Sequence, residues 1–125
     1  MATIPEAKPS RGAERGDQVR TLFSEIAPRY DLLNHVLSLN IDRGWRRRAI
    51  RMLRWQERDG GRYLDACAGT FDLSLELAKQ AGFRGSVIAT DFAFPMLVQG
   101  RSKLVPSVTP ICGDTLRLPF RAACF

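Results

Sequence analysis

The chain has no apolar stretch long enough to span a bilayer, although 45% of its 125 residues are apolar. Its first twenty residues are polar, so we expect no secretory signal peptide. Three cysteines, an odd number without the spacing of a disulfide framework, indicate a reducing compartment. Together these absences predict a cytoplasmic protein that forms one small domain or part of a larger one. We predict no metal site.

The chain also lacks the glycines of a dinucleotide-binding fingerprint. Between Arg62 and Ser74 the only glycine is Gly69, so a G-x-G-x-x-G pattern and a pyrophosphate site are excluded there. The same stretch nevertheless predicts a short buried strand ending at Asp65, a turn of small residues, and a helix opening at Asp72. This arrangement directs backbone N–H groups and a positive helix end towards a ligand. An acid before the turn suits a ligand that carries positive charge.

Strands and helices alternate after residue 61. We predict strands at Arg62–Ala66, Ser86–Thr90 and Val108–Cys112, and helices at about Thr70–Ala81 and Pro95–Lys103. The alternation implies right-handed crossovers and an α/β fold with a parallel sheet in the order 3-2-1. Pro110 cannot donate a ladder hydrogen bond, so the third strand should lie at an edge. Strand one is normally central in a doubly wound sheet, and residues 62–125 therefore predict the first half of such a domain.

The segment before the sheet is predicted to be helical after a disordered start. Residues 1–16 contain proline, glycine and charges with little apolar content, which predicts a disordered tail. A first helix is expected to begin at Asp17 and to end before Pro28. A second short helix follows, and a third covers about residues 42–54. Residues 17–55 are thus a predicted helical cap.

The third predicted helix carries most of the net positive charge of the chain. Its arginines, with no acid between them, are Arg43, Arg46, Arg47, Arg48, Arg51 and Arg54. The apolar residues that share an arc of this helix are Trp45, Ala49, Ile50, Met52 and Leu53, and we expect them to pack against the sheet. The basic face is either simply solvated or meets anionic lipid head groups as a peripheral membrane contact. Nucleic acid is not a predicted partner, because aromatic residues are not interleaved with the basic ones as in single-strand binders.

Two further acids follow the second and third strands. Asp91 ends strand two, where an acid accepts hydrogen bonds from ribose hydroxyls in a βαβ nucleotide site. Asp114, beside Thr115, follows strand three, and an acid there can accept from an exocyclic amine such as that of adenine. Each acid alone is equally consistent with a turn or a helix cap. Three acid-bearing loops at three successive strand ends are a more specific signal than any one of them.

Several motifs resemble a known family. They are Val19–Asn34, Leu37–Arg46, Thr90-Asp91-Phe92 with Pro95-Met96-Leu97, and Gly113–Phe120. From about residue 18 to 125 the chain resembles the ubiquinone/menaquinone biosynthesis C-methyltransferases. The resemblance implies a class I methyltransferase with a Rossmann-like sheet, which uses S-adenosyl-L-methionine to methylate a ring carbon of a lipid-soluble polyprenyl quinol. Cys67 and the run Leu37-Ser38-Leu39 look more like the demethylmenaquinone branch than the ubiquinone branch.

The resemblance also implies roles for individual residues. Gly69 and Thr70 would line the methionine part of the cofactor. Asp91 would bind the ribose, and Asp114 with Thr115 would bracket the adenine. The methyl group would then move by in-line displacement to a ring carbon activated by a deprotonated quinol oxygen, with the two held in near-attack geometry.

The N-terminal helices would fold over the cofactor pocket in such an enzyme. By the same resemblance, Tyr30, Asp31 and Asn34 belong to these helices. The sequence identifies no catalytic base. The single histidine, His35, is a candidate by residue type alone, and we favour its interpretation as a structural residue.

Two departures from the family pattern affect the expected activity. Phe71 stands where the family usually has glycine or alanine, and Ala68 where it has a glycine-like residue. The Phe71 side chain is expected either to close the space for the methionine part or to turn outward onto the helix that follows. The other departure is the missing C-terminal half, which supplies much of the quinol pocket. The alternatives are therefore an inactive fragment, or another class I methyltransferase acting on RNA or a small molecule.

Overall fold

The computed structural model describes residues 11–38 and 41–125 of the chain. Its helices are α1 Arg11–Ser38, α2 Ile41–Leu53, α3 Asp72–Ala78 and α4 Phe94–Gly100, and its strands are β1 Arg62–Ala66, β2 Ser86–Asp91 and β3 Val108–Cys112. Single 3-10 turns lie at Trp55–Glu57, Arg101–Lys103 and Thr115–Arg117. Two strand–helix–strand units follow the two N-terminal helices, and the predicted α/β fold is confirmed.

The three strands form one parallel sheet in the order β1-β2-β3, as predicted. Tyr63 of β1 lies beside Val87 of β2, which lies beside Val108 of β3. Residues in register on parallel strands share one face of the sheet, and Val87 and Val108 on this face are buried. The helices α3 and α4 contact β2 and β3, so the core lies between these helices and the sheet.

Pro110 occupies the position in β3 that a proline can tolerate. The Val87 N–H donates to the Ser107 carbonyl at 2.8 Å, so alternate residues from Ser107 onwards direct their backbone groups towards β2. Pro110 falls between them and faces the outer edge of the sheet. Its missing N–H therefore removes no ladder hydrogen bond, and the edge position predicted from this proline is confirmed.

Helix α1 is continuous through Pro28, so the prediction of two separate helices is wrong. An internal proline removes one helical hydrogen bond and costs about 3 kcal/mol in isolation. Here the neighbouring Ala27 is buried against Met96 of α4 and against Ala93, which directly precedes that helix, and packing of this kind outweighs the local penalty. Phe23 adds an edge-to-face contact with Phe92, with ring centroids 6.4 Å apart.

The first helix also begins earlier than predicted, at Arg11 instead of Asp17. Once a helix has a nucleus, each added residue gains one hydrogen bond, and Glu14 in the first turn interacts favourably with the helix dipole. Residues 11–16 are therefore helical where a disordered tail was predicted. Residues 1–10 lie outside the described part of the chain, and the division into tail, cap and half-domain stays a prediction.

Helix α2 has the predicted bounds but presents a different face to the rest of the protein. Ile50 is buried in the core as expected, whereas Trp45 and Met52 are 75% and 74% exposed. Arg46, predicted on the solvent face, is only 18% exposed in its side chain and lies 3.7 Å from Asp72. The face of α2 that packs against the protein therefore includes Arg46, because Asp72 of α3 neutralises its charge, and excludes Trp45 and Met52.

Helices α3 and α4 are each shorter than predicted. Phe71 has a left-handed backbone conformation with φ 73°, so α3 cannot begin before Asp72. Helix α3 ends at Ala78, and the chain then forms tight turns up to Gly82, whose φ is 81°. Helix α4 ends at Gly100 and continues as a single 3-10 turn.

Candidate functional site

The loops that follow the three strands lie side by side at one edge of the sheet. The Ala68 N–H donates to the Thr90 carbonyl at 2.9 Å, which joins the first loop to the second strand. The Gly113 N–H donates to the Asp91 carbonyl at 2.9 Å, which joins the third loop to the second. The carboxyl edge of an open parallel sheet is where such folds bind their ligands.

Asp91 connects two of these loops through its side chain. Its Oδ2 accepts from the Gly69 N–H at 2.8 Å, and its Oδ1 accepts from the Ala93 N–H at 2.9 Å. The residue is only 7% exposed. A carboxylate has about four acceptor positions, so roughly two remain for a ligand after these bonds. The bond to Ala93 is a local turn that an aspartate at a strand end suggests, but the bond to Gly69 depends on the fold and was not predicted.

Every second residue of the turn after β1 has a left-handed backbone conformation. Cys67, Gly69 and Phe71 have φ of 63°, 57° and 73°. The Asp91 carboxylate is bound to this turn, because it accepts from the Gly69 N–H. Each left-handed non-glycine residue costs on the order of 1 kcal/mol, so Cys67 and Phe71 make this turn strained.

Phe71 lies in the core of the protein. It is fully buried, at 0% exposure, and it directly precedes α3. A Cβ added to Gly100 of α4 would lie 2.6 Å from Phe71 Cδ2, so the absence of a side chain at Gly100 makes room for the ring. The expectation that the Phe71 ring turns outward is therefore wrong, because the ring packs in one buried cluster with Leu75 and Leu77 of α3. The expectation that it closes the space for the methionine part of the cofactor stays a prediction.

The remaining predicted site residues differ in their exposure. Gly69 is buried and Thr70 is 2% exposed, so the Thr70 side chain faces the interior. Asp114 is exposed, and its Oδ1 accepts from the Leu116 N–H at 2.9 Å, which caps a 3-10 turn. Thr115 is half-buried, and its hydroxyl lies 4.0 Å from the Cys67 sulfur of the first loop. The five predicted residues are thus brought to one edge, but only Asp114 and Thr115 present side chains outward.

Asp65 is held against α3 and does not emerge at the ligand edge. The Ser74 hydroxyl donates to its Oδ2 at 2.6 Å. Burial raises the pKa of the Asp65 carboxyl and the nearby charge of Asp91 adds to this, while the Ser74 hydrogen bonds oppose it. The prediction that this acid faces a positively charged ligand is not supported by its position.

Asp72 forms a junction of three elements that sequence reasoning missed. Its Oδ1 lies 3.0 Å from Lys103 Nζ, after α4, and its Oδ2 lies 3.7 Å from Arg46 in α2. All three side chains are at most about a third exposed, so the contacts are partly protected from solvent. In the sequence, Asp72 is recognisable only as an acid at the start of a helix. Such acids are too common to identify partners this distant in sequence.

The side chains of Tyr30, Asp31, Asn34 and His35 lie outside the described part of the structure. These four residues belong to the C-terminal portion of α1. Their predicted positions relative to the cofactor pocket stay predictions.

The parallel sheet, its crossover helices and the three loops at its carboxyl edge define a Rossmann-like α/β fold of the class I methyltransferase type. The chain belongs to the ubiE/COQ5 methyltransferase family, which matches residues 11–125. The resemblance seen in its motifs is thereby confirmed.

Named relatives agree with this assignment. A ubiquinone/menaquinone biosynthesis C-methyltransferase UbiE of Geobacter sulfurreducens is 45% identical over 78% of this chain and 37% of its own length. A demethylmenaquinone methyltransferase of Deinococcus radiodurans is 42% identical over 90% of this chain and 46% of its own length. Another demethylmenaquinone methyltransferase, from Desulfitobacterium hafniense, is 34% identical over 87% of this chain and 44% of its own length. The chain thus spans less than half the length of these relatives. No solved structure shows a significant match.

Proposed function

We propose that this chain contributes the cofactor-binding portion of an S-adenosyl-L-methionine-dependent methyltransferase that acts on a polyprenyl quinol. The observation that carries the proposal is the connection of the three strand-end loops at Asp91, in a chain of the ubiE/COQ5 family. The Asp91 side chain accepts from the Gly69 and Ala93 N–H groups, and its carbonyl accepts from the Gly113 N–H. The named relatives act in ubiquinone and menaquinone biosynthesis, which supports a quinol as the methyl acceptor.

The residues at the carboxyl edge fit the adenosine part of this cofactor. The unused acceptor positions of Asp91 suit the two ribose hydroxyls, because the carboxylate is already held in place by the Gly69 and Ala93 N–H groups. The exposed Asp114 suits the adenine amine, since one of its oxygens is not engaged by the Leu116 N–H. Thr115 lies beside it. Gly69 and Thr70 would contribute backbone groups, since the Thr70 side chain is buried.

The bound cofactor would supply a methyl group on a positively charged sulfur. The chain's own contribution is to hold the adenosine end at a fixed place, so that the methyl group meets the acceptor in line. We assign no catalytic base among the described residues. For the acceptor we propose demethylmenaquinol, with the ubiquinone-pathway quinol as the alternative, because two of the cited relatives bear the demethylmenaquinone name.

We also propose a cytoplasmic location with peripheral contact to the inner face of the membrane. No helix within the described residues is long and apolar enough to cross a membrane. The exposed arginines Arg43, Arg47 and Arg51 share α2 with the exposed Trp45 and Met52, and this mixture of cationic and amphipathic side chains suits an anionic lipid surface.

Two arginines first assigned to this membrane surface are engaged elsewhere. Arg46 belongs to the Asp72 junction and is removed from the proposal. Arg54 forms an exposed ion pair with Glu57, which reduces its net contribution.

The cofactor proposal is tested by calorimetric titration of the chain with S-adenosylhomocysteine. Replacing Asp114 with asparagine keeps an acceptor for the Leu116 N–H but removes the charge, and we expect binding to weaken by about 1.5–3 kcal/mol. The control is Asp59→Asn, an exposed acid that precedes β1 and pairs with Arg84. Equal affinity of the Asp114 variant and the unmodified chain would remove Asp114 from the site.

Asp91→Asn is measured with its own unfolding curve, because that side chain also supports the fold. A loss of binding counts towards the ribose contact only where the variant remains folded at the temperature of the titration.

A further inference from the structure

A cavity of about 270 Å³ lies between α2 and α3, and it shares no lining residue with the strand-end loops. Arg47 and Arg51 line it from α2, where residues four apart share one face of the helix. Glu76 lines it from α3, and Gln80 from the turn that follows α3. The Gln80 Nε2 donates to the Glu76 carbonyl at 3.0 Å, which holds the Gln80 side chain beside Glu76. The cavity thus has one wall with two arginines and another with a carboxylate and an amide.

The charged groups of this cavity do not neutralise one another. Arg47, Arg51 and Glu76 form no ion pair with any residue that the structure describes. Guanidinium groups only donate hydrogen bonds, and an ionised carboxylate only accepts them. The Gln80 amide adds an acceptor to the Glu76 wall, because its nitrogen is turned towards the Glu76 carbonyl and its Oε1 is left for a ligand. One wall therefore attracts an anion, and the other attracts a cationic group that donates hydrogen bonds.

Apolar side chains complete the lining of the cavity. Ile50 is buried and Trp55 is half-buried, and both line it. The Trp55 ring is held by an edge-to-face contact with Phe83, with ring centroids 5.7 Å apart. A ligand that matches this lining has an anionic group at one end, a cationic donor at the other, and a short apolar link between them.

We propose that this cavity binds the phosphoethanolamine headgroup of a membrane lipid, an inference that rests on the proposed peripheral membrane contact. The phosphodiester accepts hydrogen bonds from Arg47 and Arg51. The ammonium group donates to the Glu76 carboxylate and to the Gln80 Oε1. The two methylene groups that join these ends lie against the apolar lining, so each part of the headgroup meets a surface of matching chemistry.

The position of the cavity suits a lipid at the bilayer surface. Its two arginines belong to the exposed part of α2, which also carries the exposed Trp45 and Met52. If these two side chains enter the membrane interface, α2 lies at the depth of the head groups. A headgroup then reaches the cavity while its acyl chains stay in the bilayer.

The carboxylate in the cavity discriminates against other occupants. A purely anionic headgroup or an acidic peptide would pair with the arginines but would leave Glu76 facing a like charge. A choline headgroup carries its positive charge on a nitrogen without N–H groups, so it cannot donate to Glu76 or to Gln80. Phosphoethanolamine satisfies both walls.

Soluble headgroups test the cavity without a membrane. The chain is titrated by calorimetry with glycerophosphoethanolamine and, separately, with glycerophosphocholine and glycerophosphoglycerol, which share its phosphodiester but lack the N–H donors of its ammonium group. We expect glycerophosphoethanolamine to bind at least about fivefold more tightly than the other two, the effect of one partly exposed charge pair. Equal affinity for all three, or no binding of any, would overturn the proposal.

Two pairs of matched variants assign the contacts. Glu76→Gln removes only the charge and should abolish the preference for glycerophosphoethanolamine, whereas Glu25→Gln, the same change on an exposed position of α1, should preserve it. Arg51→Gln should weaken binding of this headgroup about fivefold, while Arg48→Gln, an exposed position of α2 outside the cavity, should change it less than about twofold. Far-ultraviolet circular dichroism checks that all four variants remain folded. A preference that survives Glu76→Gln, or equal effects of the two arginine variants, would contradict these contacts.

Vesicles then identify the source of the headgroup. Two preparations contain the same fraction of phosphatidylglycerol, and the remaining lipid is either phosphatidylethanolamine or phosphatidylcholine, so their surface charge is equal. We expect the chain to sediment about fivefold more tightly with the first, and Glu76→Gln to remove this difference. Discrimination among soluble headgroups but not between vesicles would indicate a free phosphodiester ligand and refute the lipid assignment. Binding to neither preparation would contradict the membrane contact itself, whereas equal binding to both would support that contact and contradict only the headgroup site.

Discussion

Replacing Gly100 with alanine should destabilise this protein, although glycine-to-alanine changes in helices usually stabilise. The added Cβ would lie 2.6 and 2.8 Å from two carbons of the Phe71 ring and 2.8 Å from the Thr70 carbonyl oxygen. Real Cβ atoms do not approach neighbours this closely, and neither neighbour can yield easily. The Phe71 ring is fully buried, and the Thr70 oxygen belongs to the backbone of the strained turn.

The expected magnitude is a balance of two terms. Helix propensity favours alanine over glycine by about 1 kcal/mol. Overpacking a closed core costs about 1–3 kcal/mol, and the backbone contact places this site towards the upper end of that range. We expect a net destabilisation of about 1–2 kcal/mol, which lowers the Tm of a small domain by about 4–8 °C per kcal/mol.

Thermal unfolding of four variants provides the assay: Gly100→Ala, Gly44→Ala, Phe71→Ala and the double variant Phe71→Ala/Gly100→Ala. Gly44→Ala in α2 is the matched control, because an added Cβ there meets nothing within 4 Å, and it should stabilise by about 0.5–1 kcal/mol. In a Phe71→Ala background the Gly100→Ala penalty should fall by at least about 1 kcal/mol, since the clashing ring carbons are gone. The reasoning is refuted if Gly100→Ala is as stable as the unmodified protein. It is also refuted if the loss of stability on Gly100→Ala is the same with and without the Phe71 ring.

Three further predictions concern protonation, thiols and lipid. Burial raises the pKa of the Asp65 carboxyl above its unfolded value, so the protonated carboxyl stabilises the fold in acid and this stabilisation is lost as pH rises through the raised pKa. In urea unfolding measured over a pH series, Asp65→Asn should remove this loss of unfolding free energy. Cys67 and Cys112, both exposed and free, should react readily with a thiol reagent in the folded protein, and a bridge between them in mass spectra would contradict the strand order. The chain should sediment with phosphatidylglycerol vesicles but not with phosphatidylcholine vesicles, and Arg47→Glu, which changes the charge by two units, should weaken this binding by about thirtyfold, from about 1 kcal/mol per charge; equal binding to both vesicles would contradict the contact.

The strands and their order could be predicted from the sequence, because the tertiary structure does not override the local preferences of these segments. Apolar runs between turn residues placed all three strands to within a residue, and the missing donor of Pro110 placed β3 at an edge. Alternation of strands and helices then left only one handedness for the crossovers. In the same way, the three loops had to meet at one edge once the sheet was parallel.

Three of the errors concern choices decided by distant partners. Pro28 ends a helix in isolation, but burial of Ala27 against residues near α4 keeps α1 continuous. The periodicity of α2 shows that the helix has two faces, yet the position of Asp72 on another helix decides that Arg46 lies on the packed one. Phe71 points inward only because Gly100, far along the chain, leaves space for its ring.

The surroundings of position 91 also restrict which side chains can replace aspartate there. The two backbone donors that converge on it, from Gly69 and Ala93, require two acceptor oxygens on one short side chain. Asparagine offers one acceptor and would place an amide donor against the other N–H, while the longer side chain of glutamate shifts both oxygens. The loops are thus set in place by the same carboxylate that we propose for the ribose. Selection for a well-shaped crevice and selection for ligand contact therefore act on one residue and demand the same chemistry.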